Sequence, residues 1–430
     1  MYDAEAIVIG GGHNGLICAA YLAKAGVTTI LVEARDSVGG CASTVADMGA
    51  RFNICACDHS LIRAMPLIDE LNLSSHGLDY LEPEATYVNA FHENSGSWVF
   101  YHDSNQTMDG LSITHPSEVA NYKRYLEDAI PVAKLVIEIA QSGASMTEFL
   151  QVASRKRMKG VSKLLRWSKA SAVDVFKDYF DDWHLYMPGI STGPTVWGAP
   201  PEAPGTGLAA TVYATRHLIA SGRPRRGSGS LPDAILKSYL SHGGQVRLKS
   251  IVEKLQVENK RVKAVQLQDG SVIEAPTVIA ACDPHTVLVN WIDEAPVSAK
   301  SLISRWQKEP APEGYESKLD GIVQNLPTYK FMSELTGKFD HTDLTQSTVI
   351  ISPSPEKLKE AHILKDQGLI SDQPTMLASI PSALDPEMKA DNGLHTFGLE
   401  VLFTPYSLNG GWKGSQQPDR WLDIWGNAVS

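Results

Sequence analysis

Positive charge is in short supply: 38 Lys and Arg stand against 49 Asp and Glu, a formal net charge of −11. General nucleic-acid binding calls for a basic surface, so this balance excludes it. Cysteine is scarce too. The five present (Cys18, Cys41, Cys55, Cys57 and Cys282) show neither metal-ligand spacing nor a C-x-x-C pair. An odd count without a metal pattern fits a reducing compartment rather than a disulfide framework. No run of about 18 apolar residues occurs, so nothing reads as membrane-spanning. The first apolar strand starts about three residues from Met1, which leaves no room for a signal or transit peptide; the expectation is a cytoplasmic protein. With 43% hydrophobic and 20% charged residues over 430 positions, the composition is that of a globular enzyme with two or three domain-sized cores.

What the chain does carry is concentrated at its start. Ala4 to Ile9 is a short apolar run that breaks into glycines where a helix should begin. Gly10, Gly12 and Gly15 match G-x-G-x-x-G: a tight turn, backbone approach to a pyrophosphate, and close helix–strand packing. His13 and Asn14 open the helix, whose N-terminus suits an anionic ligand. The helix runs from Leu16 to Ala25 and stops at Gly26. Val27 to Val32 is a second strand, and it ends in Glu33, where a carboxylate can accept hydrogen bonds from an adenosine ribose. Strand, glycines, helix, strand and acid in this order read as a dinucleotide-binding unit.

A second glycine pair follows. Ala34-Arg35 leads to Gly39-Gly40, then Cys41 and Ser43. The pair brings the backbone close to the ligand again, and the Ser43 hydroxyl adds a contact. An NAD-binding Rossmann domain is the alternative reading, but it does not call for the second pair. On these residues the sequence resembles the FAD-dependent oxidoreductases of the phytoene desaturase and amine oxidase superfamily. In those proteins an acid, a basic residue and a Gly-Gly pair line the FAD. The Gly-His-Asn-Gly-Leu wording from Gly12 to Leu16 is similar to the phytoene dehydrogenase-like members. Many amine oxidases place an arginine after the glycine pair; Cys41 stands there here and counts against that branch.

The resemblance implies an α/β fold: a Rossmann-like FAD-binding domain of the glutathione reductase type, discontinuous in sequence, with an interleaved α+β substrate domain. On that pattern 1–86 is the first part of the FAD-binding domain and 87–222 the first part of the substrate domain. Residues 223–290 return to the FAD domain, 291–408 form the rest of the substrate domain, and 409–430 begin a further return. Tyr87–Phe91 and Ser97–Tyr101 read as a hairpin, Pro116 to Ile139 as a helix. Ser250–Leu255 and Val262–Leu267 read as a second hairpin, closed at Asp269-Gly270. By resemblance, Val252 is the position whose backbone meets the adenine. Residues 327–331, 348–351, 375–380 and 396–404 read as strands. The family's glycine-rich C-terminal segment, which covers the flavin ring, has no counterpart here. The expectation is either a truncated chain or a relative that has lost that part of the flavin site. A second dinucleotide fingerprint is also missing, which points to oxygen or a quinone as electron acceptor.

Hydride chemistry belongs to the cofactor, so catalytic side chains stay unassigned. His59 and His217 are candidates for a base or orienting group, or are satisfied, partly buried histidines. Cys55 and Cys57 are a redox pair or two buried thiols, and Cys41 a covalent flavin anchor or a packed thiol. No metal site is expected. The function read from the resemblance is dehydrogenation or saturation of a C–C bond in an apolar, isoprenoid-type substrate. The alternatives are an amine oxidase acting on a C–N bond and a non-catalytic flavin-fold binding protein. Residues 155–169 hold seven basic residues and no acid. Met158, Val161, Leu164 and Leu165 recur there at helical spacing, with Trp167 beside them. The expectation is peripheral contact with an anionic membrane face; the alternative is a stripe packed on the substrate domain.

Overall fold

The computed structural model describes residues 2–55, 57–142, 147, 151, 154, 159–193, 198–292, 295–309, 315–339 and 341–429. Four parallel strands form its first sheet, in the order Thr277–Ala280, Ala6–Ile9, Thr29–Val32, Gln245–Arg247. The two central strands are buried at every position, as parallel strands covered on both faces must be. Side-chain alternation then divides the two faces. Val8 and Leu31 pack with Leu16, Ala19, Ala20, Leu231 and Ile235 of the helices His13–Lys24 and Ser230–Ser241. Ile7, Ile9, Ile30 and Val32 pack with Val252, Leu255 and Val265 of a three-stranded antiparallel sheet. That sheet comprises Val252–Glu258, Arg261–Leu267 and Val272–Glu274. The result is the Rossmann-like unit, assembled from both ends of the first 280 residues.

A six-stranded sheet builds the second unit, in the order Glu316–Val323, His395–Leu402, Met376–Ser379, Thr348–Ser352, Ala85–Phe91, Trp98–Tyr101. All pairings are antiparallel except that of Thr348–Ser352 with Ala85–Phe91. On one face Tyr87, Phe91, Trp98 and Phe100 meet Tyr122, Tyr125, Phe176 and Tyr213 of a helical layer. On the other, Val88, Val349, Leu399 and Val401 meet Phe331 and Trp421, the latter from the helix Gln417–Ala428.

Several local expectations change. The hairpin after Val252 turns at Asn259-Lys260, both with positive φ (52° and 66°), the type I′ geometry whose twist matches the strands. Asp269-Gly270 instead joins the second strand to the third. Residues 327–331 hold only an isolated bridge from Tyr329 to Val429. The edge strand is Glu316–Val323, where charged residues at alternate positions mask a β pattern. The long helix starts as a 3₁₀ turn, Pro116–Glu118, and runs Val119–Gln141 through Pro131.

In the basic segment, Arg155 to Met158 lie outside the described residues. A helix follows at Val161–Trp167, with Val161 and Trp167 buried and Leu165 exposed. Lys163 pairs with Asp128 at 2.6 Å and Arg166 with Asp178 at 3.2 Å. No helix among the described residues is long and apolar enough to cross a membrane.

Candidate active site

The glycines expected to cradle a pyrophosphate converge. Gly10 sits at φ 101°, and its N–H donates to the Val32 carbonyl at 2.8 Å. Gly15 lies against that turn: a Cβ there would fall 1.9 Å from the Gly10 carbonyl oxygen. Gly12 precedes the helix His13–Lys24, and no side chain caps that end. Opposite it stands Gly40, φ 58°, where a Cβ would come within 3.0 Å of the Gly12 Cα. Two backbones thus approach each other with no side chain between. His13 Nδ1 is buried beside them without a hydrogen-bond partner, while Asn14 is exposed.

The flanking residues hold this arrangement. Glu33 accepts from the Gly11 N–H at 2.6 Å and from the Arg35 N–H at 2.8 Å, which fixes its carboxylate over the glycine turn. Arg35 Nη2 donates to the Gly40 carbonyl (2.9 Å) and to Ser43 Oγ (3.0 Å); Ser43 Oγ donates to the same carbonyl at 2.8 Å. Gly39, φ 127°, donates to the Gly11 carbonyl at 2.8 Å. Ala34 and Cys41 are exposed. The N–H of Ser250 reaches the Glu33 carbonyl at 2.9 Å, and Val252 is buried two residues further on. An FAD fits these groups: an uncapped helix N-terminus and side-chain-free backbone for the pyrophosphate, a carboxylate for the ribose.

Beyond the glycine pair lies a polar strip that the sequence reading missed. Cross-strand pairing sets Lys318 directly opposite Glu400, with Glu316 and Asp320 on the same face. Burial, then the neighbouring Glu316, pushes the Glu400 carboxyl up to about 7. Lys318 Nζ donates to the Asn53 carbonyl at 2.6 Å and contacts Asp320. Next to it, Arg223 Nε meets Asp58 at 2.6 Å, and Thr348 Oγ1 bridges them, accepting from Arg223 at 2.8 Å and donating to Asp58 at 2.6 Å. Burial opposes charge on Asp58, but Arg223 and the Thr348 hydroxyl hold its carboxyl below the usual range. Arg223 Nη1 is buried with no partner. Burial first, and then Cys41, Glu316 and Glu400, push the half-buried Cys55 thiol up to about 11. One signal was available. Glu400 is a lone acid inside an otherwise apolar strand, Phe397-Gly398-Leu399-Glu400-Val401-Leu402.

Both histidine candidates have hydrogen-bond partners within the fold. His217 Nδ1 donates to the His102 carbonyl at 2.8 Å, so Nε2 accepts from the Tyr122 hydroxyl at 2.8 Å. His59 Nδ1 meets the Tyr80 hydroxyl at 3.0 Å. Burial pulls both rings down to about 4, so each is neutral at physiological pH. Cys57 is buried against Ser379 Oγ at 3.8 Å, and Cys55 is a half-buried free thiol. Among the described residues, no cluster of His, Cys, Asp and Glu is placed to hold a metal. A groove of about 870 Å³ lies apart from the strip, lined by Arg63, Lys134, Ile137, Gln141 and Leu218.

Fold and cradle define the class: an FAD-dependent oxidoreductase. Residues 15–317 match the family described as flavin containing amine oxidoreductase, and the chain belongs to it. It is similar to pyridine nucleotide-disulfide oxidoreductase domain-containing protein 2 of Rattus norvegicus, 26% identical over 95% of this chain and 75% of that protein. It is also similar to the lycopene-forming phytoene desaturase of Pantoea ananas, 26% identical over 85% of this chain and 70% of that one. Among solved structures, an oxidoreductase from Methanosarcina mazei superposes with a TM-score of 0.62 at 14% identity, covering 98% of this chain and 83% of that one. At that identity the likeness speaks for the fold alone.

Proposed function

We propose that this enzyme dehydrogenates or saturates a C–C bond of an apolar, isoprenoid-type substrate, with oxygen or a quinone as the final electron acceptor. Bound FAD supplies the hydride acceptor or donor. Such a reaction moves a hydride at one carbon and a proton at its neighbour, so some group must hold that proton near neutral pH. Glu400 carries the reading. Its carboxyl, pushed up to about 7 by burial and by Glu316, is poised between charged and neutral on a strand position paired with Lys318. In this reading Glu400 takes or gives the proton. Lys318, opposite it, orients the carboxyl, and the Arg223–Asp58–Thr348 bridge holds the adjoining face in place. The name of the desaturase relative supports the substrate class.

The test is anaerobic bleaching of the flavin by isoprenoid hydrocarbons, in wild type and Glu400→Gln, followed by reoxidation with oxygen or a quinone. The variant should keep its flavin and react about 100-fold more slowly. An unchanged rate and pH profile would remove Glu400 from the reaction. A second reading rests on the same strip. Asp58, Glu316, Asp320 and Glu400 outnumber Lys318 and Arg223, a surplus of negative charge that suits an ammonium group. C–N oxidation is the chemistry in the family's description. Flavin bleaching by amines, with Glu400→Gln raising KM more than it lowers kcat, would select it.

A further inference from the structure

A second cavity, about 480 Å³ in volume, lies beside the FAD cradle and shares only Ser43 with it. Gly12, Glu33 and Gly40 do not line it, so it is separate from the pyrophosphate cleft. Its walls come from elements far apart in sequence: the strands Thr44–Asp47 and Ala50–Asn53, the turn at Arg226, and the helix Ser230–Ser241. Each wall delivers a cation. Arg51 stands opposite Ala46 across the strand pair, and that small side chain leaves the guanidinium room. Arg226 sits at φ 69°, its N–H bound to the buried Asp385 carboxylate at 2.5 Å, which fixes the turn. Lys237 lies one helical turn beyond Asp233 and donates to the His76 carbonyl at 3.3 Å.

These cations stand out because the groups around them are already used. Arg225, next in sequence to Arg226, is paired with Asp79 at 2.9 Å. Among the described residues, Arg51 and Arg226 have no such partner. The N–H groups at the start of the helix are taken: Gly229 donates to Thr44 Oγ1 at 2.8 Å and Ser230 to the Gly227 carbonyl at 3.1 Å. An anion here would be held by side chains. Asp233 is the one carboxylate on the walls, and burial raises it although Lys237, Arg226 and Arg51 pull it down. Three cations against one acid leave an excess of two positive charges, in a chain whose net charge is −11.

We propose that this cavity binds a small phosphate monoester, with its phosphate between Arg51, Arg226 and Lys237. Such a group carries a charge of about −1.5 to −2 near pH 7 and three acceptor oxygens, which match the excess charge and the two planar guanidinium forks. The volume falls within the range of small-molecule sites, about 300–1,000 Å³, and exceeds what a bare phosphate fills. Ser37, Thr44 and Ser230 bring hydroxyls to the walls, which suit a sugar-like body rather than a hydrocarbon one. The site is independent of the reaction proposed above.

The experiment is calorimetric titration of the FAD-loaded protein, whose cradle is already filled, with ribose 5-phosphate, ribose and inorganic phosphate at low salt. Ribose 5-phosphate should bind, phosphate more weakly and ribose not at all, and added salt should weaken the binding. Arg226→Gln and Lys237→Gln should each weaken ribose 5-phosphate about 10-fold, the loss of one charged hydrogen bond. Both side chains are exposed, so the variants should keep their fold and flavin content. Asp233→Asn removes the opposing charge and should tighten binding. No binding of ribose 5-phosphate at millimolar concentration, or binding that neither cation variant alters, would overturn the site. Inorganic phosphate binding as tightly as the ester would overturn the sugar-like body.

Discussion

Gly12→Ala isolates what the cradle does for the cofactor from what it does for the fold. At φ −68° and ψ 171° the backbone of Gly12 is open to alanine, and the new Cβ would meet only the Gly40 Cα, at 3.8 Å. The apo fold should therefore lose at most about 1 kcal/mol, the scale of an N-cap change. The same methyl group fills the space through which a phosphate reaches the first N–H groups of the helix. A hydrogen bond to a charged group contributes about 1.5–3 kcal/mol, so losing one predicts FAD binding weakened about 10- to 100-fold. The assay is a titration of the deflavinated protein with FAD, read by quenching of flavin fluorescence, alongside thermal melts with and without FAD. The variant should melt near the wild-type apo midpoint yet gain far less from added FAD. Gly15→Ala is the contrast. Its Cβ would lie 1.9 Å from a backbone oxygen, so it should destabilise the apo protein itself by about 3 kcal/mol or more. If Gly12→Ala bound FAD within about twofold of wild type, the pyrophosphate would not lie between Gly12 and Gly40.

The Glu400 carboxyl sits above its ordinary value of 4.5 in the folded state, so the folded protein holds a proton that the unfolded chain releases. Apo stability should fall as pH rises from about 4.5 to 7, by up to about 3 kcal/mol, and Glu400→Gln should flatten that part of the profile in melts at stepped pH. Asp58→Ala strands the buried Arg223 guanidinium and should cost about 3–5 kcal/mol by urea unfolding; Asp58→Leu with Arg223→Met should cost less. For the basic segment 155–169, co-sedimentation with anionic vesicles at low salt is expected, weakening with salt and with Lys159→Gln and Lys169→Gln, both exposed. No sedimentation at low salt would remove the membrane reading.

The nucleotide unit was legible because its signals are local. Turn, helix start, second strand and acid follow one another between Gly10 and Glu33, and the structure brings Gly12 to Gly40 and Glu33 to Gly11. The polar strip was not legible, because it exists only through pairing at long range. Lys318 and Glu400 become neighbours by strand register, and Arg223 reaches Asp58 across 165 residues. The Glu316–Val323 edge strand hid for a related reason. A strand with Glu, Lys and Asp at alternate positions reads as a solvated loop until the face it presents is known. Cys55 and Cys57 were weighed as a pair, whereas the fold buries Cys57 against Ser379 and leaves Cys55 half-buried.

Neither sheet is contiguous in the chain. In the first, Ala6 pairs with Thr277, 271 residues away; in the second, Ser347 Oγ donates to the Ala85 carbonyl across 262. The strand Ala6–Ile9 meets its partner Thr277–Ala280, and Ala85–Phe91 meets Thr348–Ser352, only after most of the polypeptide has been synthesised. Loop closure over such distances is slow, so through most of translation both strands present open edges that can pair with the wrong chain. Folding yield in the cell should therefore depend on chaperone supply and growth temperature more than the equilibrium stability of the finished protein suggests. For the same reason, fragments cut between the two units should not fold on their own.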